Sequence, residues 1–343
     1  MFGEGRDSIQ LGTFNWGMYT VGFVKSFVNK DTISSICIIG SEPDSLYKSA
    51  IYLADNGSSI TFAGKTFVRG NAFLPKSGVN SGSVDGQKFQ FKNLVDGKIS
   101  ISKDHLPELD NEFLKKMLKN LNSVDKANPA FKLPTDSLNV SFYNETQRYH
   151  SSGIPFILKK NIIRGNVMLS SDTLISIGSN VSLENIILFA PIIKFEKGFK
   201  GIVQAFATDS IIISENCDLK FPSALSIIPS NSSNNRPGIY MGRNSRLDGC
   251  LLQYTGLDKS SLANTYISES ATIHGIVYAD AFLSLNGIIY GSLLCNKILL
   301  NRPSGVYANH LLNCTIDRTR LSTFFVTSPI FSRKKKQIIS RLK

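Results

Sequence analysis

No stretch of this 343-residue chain comes near the roughly 18 consecutive apolar residues that carry a helix across a bilayer. A spanning helix is therefore not expected in it. Nor does it open on a signal peptide: Met1-Phe2-Gly3-Glu4-Gly5-Arg6-Asp7 has no apolar core and passes directly into strand-like sequence from Ile9 to Val24, a start compatible with a further segment upstream. The five cysteines, Cys37, Cys217, Cys250, Cys295 and Cys314, include no C-x-x-C and no pair closer than nineteen residues, which excludes the common zinc and redox spacings. Four of them sit in apolar runs and read as buried free thiols. The four histidines, His105, His150, His274 and His310, are distant from one another, and none belongs to an H-E-x-x-H pair. No metal or other cofactor is expected. Acids are scarce too: 26 Asp and Glu against 38 Lys and Arg leave a net charge of +12. Part of that excess is local, since Arg333, Lys334, Lys335, Lys336, Arg341 and Lys343 fall in the last eleven residues with no acid among them. Such a run reads either as a solvated tail or as a contact for an anionic membrane surface.

What the chain does have is β-branched sequence punctuated by glycine and asparagine. With 42% hydrophobic and 19% charged residues it has enough apolar area to offset the entropy of ordering, so disorder is excluded for most of its length. Phe14, Trp16 and Met18 keep period two, as do Ile60 and Phe62, and Asn56-Gly57 marks a tight turn of the kind that joins two strands. Gly64, Gly70, Gly78, Gly82 and Gly86 recur too often for a helix to survive, so residues 8–100 read as antiparallel β-structure. One helix is expected between Pro107 and Asn122, with Leu109, Phe113, Leu114, Met117, Leu118 and Leu121 on one stripe for core packing. Residues 122–153, rich in Asn, Ser and Pro, read as a connection.

From about Gly165 the sequence becomes repetitive. Apolar peaks near Val167, Ile187 and Val203 fit three short strands and their corners per coil, and the phrase apolar-x-Gly-apolar-apolar recurs at Leu247-Asp248-Gly249-Cys250-Leu251, Ile273-His274-Gly275-Ile276-Val277 and Leu285-Asn286-Gly287-Ile288-Ile289. A strand-and-turn repeat of this kind implies stacked coils that bury their apolar side chains only against one another. Ser230 to Asn235 reads as a loop between coils. The expected fold is all-β: a parallel β-helix over 154–321, preceded by a β-rich module over 1–105 and by the amphipathic helix and connection over 106–153. Residues 322–343 are expected to form a capping strand, a short basic helix and the basic tail.

Motifs that carry chemistry are weak. Ala63-Gly64-Lys65-Thr66 has the end of a phosphate-binding loop, but Ser59 stands where its first glycine belongs, and strand-like sequence follows. Ser45-Leu46-Tyr47-Lys48 has the Ser-x-x-Lys spacing without the accompanying elements. Asp172, Glu184, Glu196, Asp209, Glu215 and Asp218 are spread at no fixed offset and read as solvated turn residues rather than the paired carboxylates of a glycan-cleaving site. His274 reads as a corner histidine bonded to backbone. Basic and aromatic residues do not interleave as a single-strand platform would require, so nucleic acid is not an expected partner.

The passage ATIHGIVYADAFLSLNGIIYGSLLCNKILL, within a likeness running from Gly238 to Asp317, resembles bactofilins, bacterial polymer-forming β-helix proteins. That resemblance implies nucleotide-free end-to-end or lateral assembly and a scaffold role. The phrase AIYLADNGSSITFAGKTFVRGNAFLPKSGV also looks like envelope proteins of Bacteroidetes that carry an N-terminal membrane helix, which implies a location at the cell envelope. The expectation is a non-enzymatic envelope scaffold or adhesion-type protein that acts through a protein partner or self-assembly. The alternative is a polysaccharide-binding or polysaccharide-cleaving β-helix.

Overall fold

The computed structural model describes residues 7–28, 30–122, 136–228, 237–256, 263–332 and 335–342. Most of them are in strands, with one α-helix among the described residues. The largest sheet closes on itself as a tube of mainly parallel strands.

From Ser137 onward the chain repeats one itinerary over three faces of that tube. On the first face, residues 162–164 lie beside 182–184, and these beside 200–202. On the second face, 167–170 lie beside 186–189, followed by 203–206. On the third, Leu174–Ile177 lies beside 192–195, then 210–213, Gly238–Met241 and Asn264–Ile267. Each strand alternates its side chains, so Val167, Ile186 and Val203 enter one continuous interior. Ile187, the residue near which the sequence peaks, points outward instead. In a fully apolar run the period-two phase is invisible, and only the register fixes it.

Two of the three glycine phrases meet at the corner between the first and second faces, whereas Gly287 of the third stands at the corner ahead of the first face and Gly291 takes the matching place. Gly249, Gly275 and Gly291 are register mates with φ of +146°, +150° and +157°. A Cβ on Gly275 would stand 1.7 Å from the carbonyl oxygen of Gly249. Only glycine permits that approach.

Residues 51–101 depart from the antiparallel reading. Ile51–Leu53 pairs parallel with 293–295 on the second face, and Ala72–Leu74 and then Ile99–Ile101 stack beyond it. Residues 61–63 pair parallel with His310–Leu312 on the third face, and Phe67–Arg69 with Thr315–Asp317 on the first. These early strands extend the tube past its last-made layers. Asn56-Gly57 accordingly turns a corner between two faces rather than closing a hairpin. A half-buried strand reads alike beside parallel or antiparallel neighbours, and here the partners lie near the opposite end of the chain.

The long antiparallel pairings form a meander of Asp7–Trp16, Tyr19–Val28, Asp31–Ser41 and Lys336–Arg341, with two short hairpins elsewhere, Ser83–Val84 with Gln87–Lys88 and 299–302 with Gly305–Ala308. Lys336–Arg341 is a strand where a basic helix was expected, and it extends the meander instead of capping the tube. The sequence QIISR leaves two apolar residues to pair along the edge of Asp31–Ser41. The helix runs Asn111–Asn122 and starts later than its apolar stripe suggests, because the Asp110 carboxylate accepts the Phe113 N–H at 3.0 Å and sets the N-cap there. Leu109 is buried ahead of it, while Leu114, Met117 and Leu121 form its buried stripe. Helix and meander together cover the second face: Trp16, Met18, Ile38 and Met117 meet the outward side chains Met168, Ile187, Phe206 and Leu294. All five cysteines are free, and Cys37 alone is not fully buried. The loop expected over Ser230 to Asn235 lies outside the described residues.

Candidate functional site

The two ends of the tube differ. At the end formed by Ser137–Val140, Gln147–Ser151 and Phe156–Leu158, the inward residues Val140, Tyr149 and Leu158 are buried and Leu138 and Phe156 are half-buried. At the other end, Ile99 and Ile101 stack on Ala72 and Leu74, which are 0% and 1% exposed, yet are themselves 47% and 69% exposed. The second-face rung is uncovered there, while Phe89, Leu94 and Val95 pack against the interior beside it.

The backbone at that end is also open. Lys98 O accepts from Ala72 N–H at 2.9 Å and Ser102 N–H donates to Leu74 O at 2.8 Å, so alternate residues of this strand face the tube. By the same alternation Ile99 and Ile101 aim their N–H and C=O groups away, and no strand pairs with that side among the described residues. Lys98 and Lys103, both exposed, flank the edge.

Beside it lies a cleft of about 580 Å³ lined by Leu46, Tyr52, Phe73, Ile101, Lys103 and His105 among others. Tyr52 and Phe73 are outward register mates on the second face, stacked with centroids 5.6 Å apart. The Tyr52 hydroxyl accepts from Lys103 N–H at 3.0 Å and donates to His105 O at 3.1 Å, tying the cleft wall to the segment that leads into the helix. Burial pushes that hydroxyl above its ordinary range and keeps it a donor. An extended chain laid on the edge would reach unpaired backbone groups, a bare aliphatic rung and an aromatic-walled hollow.

Other candidates are engaged elsewhere. His274 does not bond backbone: its Nδ1 lies 2.9 Å from the Asp248 carboxylate, which Arg246 grips with two contacts of 2.8 Å. Burial pushes the Asp248 carboxyl up, but hydrogen bonds from His274 and Arg246 prevail and hold it below the usual range. Tyr290 packs 5.1 Å from His274, and Arg320 lies over Tyr290 at 5.6 Å. Asp172 pairs with His150, Glu184 with Arg164, Glu196 with Lys194 and Glu215 with Lys197, one pair at a time. Asp209 and Asp218 join none of these pairs. Among the described residues no group of three His, Cys, Asp or Glu could hold a metal ion. In the loop-like motif, Lys65 N–H donates to Asn313 Oδ1 and Thr66 Oγ1 to Ala63 O, so these groups close a corner. Lys48 of the Ser-x-x-Lys pattern bonds Glu42.

Of the basic tail, Lys335, Lys336 and Arg341 are exposed, the latter two on the edge strand of the meander. Arg333, Lys334 and Lys343 lie outside the described residues. Ile99, Ile101, Tyr52 and Phe73 were not singled out from the sequence. The alternation of Ile99 and Ile101 after Gly97 was the available signal, but it cannot tell a covered rung from a terminal one. Compared with known proteins, the chain matches no family model, no curated protein and no solved structure.

Proposed function

We propose that the tube is a β-solenoid with a non-enzymatic scaffold role, and that it holds an extended segment of another protein at the uncovered rung of its second face. Three strands per layer, parallel register over successive layers and glycine-marked corners support the solenoid reading. The observation that carries the binding role is the exposure of Ile99 and Ile101 beside an unpaired edge, because an incoming strand would satisfy the backbone groups and cover the rung. Charge selects the partner. Two copies of a chain at +12 repel, and Lys98 and Lys103 would face their own counterparts across a self-pairing, so an acidic segment fits better than a second copy.

Fluorescence polarisation with labelled peptides that alternate valine with glutamate tests this, against the same peptides with lysine for glutamate. The acidic peptide is expected to bind, to weaken with salt, and to be lost in Ile101→Lys. Light scattering with electron microscopy runs alongside. Failure of both peptides to bind, or polymers that Ile101→Lys abolishes, would overturn the acidic-segment reading.

A second reading, glycan binding, rests on Tyr240 and Tyr266, outward register mates on the third face. Adjacent rings there offer a stacking platform for sugar faces. A glycan panel that leaves both tyrosine fluorescence and thermal stability unchanged removes it.

A further inference from the structure

We propose, beyond the scaffold reading, that the outer face of the meander docks onto an anionic lipid bilayer. Near the body of the protein the meander is conventional: Trp16, Val21, Ile36 and Ile38 face inward and are buried. Toward its tip the polarity inverts. The positions that continue the inward face are Gln10, Lys25 and Ser34, register mates of one another, followed by Ser8, the half-buried Phe27 and Thr32. The positions that face away from the protein are Ile9, Leu11, Val24 and Ile33, which are 55%, 72%, 40% and 74% exposed. Leu11 sits opposite Val24, while Ile9 and Ile33 flank Ser26 from either side, so the four form one patch. Ile338, 65% exposed, lies on the same side of the sheet but opposite Ile39, separated from the patch by Ser35 and by Cys37 with its mate Arg341.

Exposed aliphatics gathered on one side of a sheet mark a docking surface, and charge identifies what docks. Lys336 and Arg341 lie on the strand that carries Ile338, in register with Ser41 and Cys37, and both are exposed. They belong to a stretch with six Lys and Arg and no acid in eleven residues. The acids on the meander strands, Asp7 and Asp31, stand at the far tip opposite Val28. A second copy would bring the same basic strand and another +12 to the contact. An anionic membrane instead accepts aliphatic side chains at its acyl boundary and attracts the basic strand, each Lys or Arg strengthening binding about fivefold at low salt.

Co-sedimentation of the full chain with phosphatidylcholine vesicles, with and without phosphatidylglycerol, tests the proposal. Binding is expected only to the vesicles that contain phosphatidylglycerol, and it should fall as salt rises. Lys336→Glu with Arg341→Glu should weaken it more than tenfold, and Leu11→Glu with Ile33→Glu should abolish it. All four positions are exposed, and Trp16 fluorescence reports whether each variant remains folded. The proposal is overturned by equal binding to neutral vesicles, by no binding, by binding indifferent to either pair of substitutions, or by a concentration-dependent dimer that Leu11→Glu dissolves.

Discussion

Gly275 is the residue on which the repeat turns. Its φ of +150° and the Gly249 carbonyl oxygen, 1.7 Å from where a Cβ would stand, leave no room for a side chain. Gly275→Ala is expected to cost about 2–4 kcal/mol, as strain at a special backbone position does. Gly57→Ala, with φ +80° but open space around it, should cost only about 1–2 kcal/mol. Urea denaturation midpoints of the two variants check the contrast. Asp280 offers a pH-dependent counterpart. Its carboxylate accepts the Thr255 N–H at 2.7 and 2.9 Å, yet burial pushes its pKa up to about 6. In the unfolded chain an aspartate titrates near ~3.9, so the folded state binds the proton more tightly, and stability falls as pH rises from about 4 to about 6. Relative to wild type, Asp280→Asn should be neutral at about pH 4 and more stable by on the order of 1–2 kcal/mol at about pH 7. A difference flat across that range would contradict it. The glycine phrase was legible at Gly249 and Gly275 but took Gly287 in place of Gly291, and the carbonyl that requires it was not legible, because that oxygen belongs to the preceding layer.

Between elements, one polar side chain joins the meander to the tube. Gln204, buried on the second face, accepts the Met18 N–H at 2.6 Å and donates to the Trp16 carbonyl at 3.1 Å. Gln204→Leu would leave both backbone groups buried without partners, and a loss of about 2–4 kcal/mol is expected in urea unfolding. The helix was readable because its 3.6-residue stripe is long and unbroken, although the cap at Asp110 was overlooked. The final strand was not, since a few residues between lysines and arginines carry too little periodicity to separate strand from helix. The strands of 51–101 were recognised as β, but their parallel partners could not be, because pairing across most of a sequence leaves no local signal. The exposed end of the tube was missed for a related reason: Ile99 and Ile101 look like every other interior pair, and only the absence of a further layer distinguishes them.

At the scale of the molecule, meander, helix and tube share one apolar layer, and the early strands share the tube's interior. Unfolding should therefore be a single transition. Trp16, the sole tryptophan, packs at 5.1 Å against Phe142 between meander and tube, so its fluorescence and the far-ultraviolet signal of the strands are expected to change together. A fragment of residues 136–321, which keeps every layer of the tube from Ser137 onward, tests the same point. It lacks the cover over Met168, Ile187 and Phe206 and the strand beside Leu293, and it should aggregate or lose its near-ultraviolet signal. Soluble, cooperatively unfolding fragment would show that the tube needs neither.

The placement of Ile51–Leu53 against 293–295 also sets a timetable. During synthesis the segment that emerges early finds its seat only after residues 293–295 have left the ribosome, so its apolar side chains wait unprotected while the intervening layers assemble. The early strands are then the last layers to join the tube, and the nascent protein is expected to need chaperones in proportion to that delay.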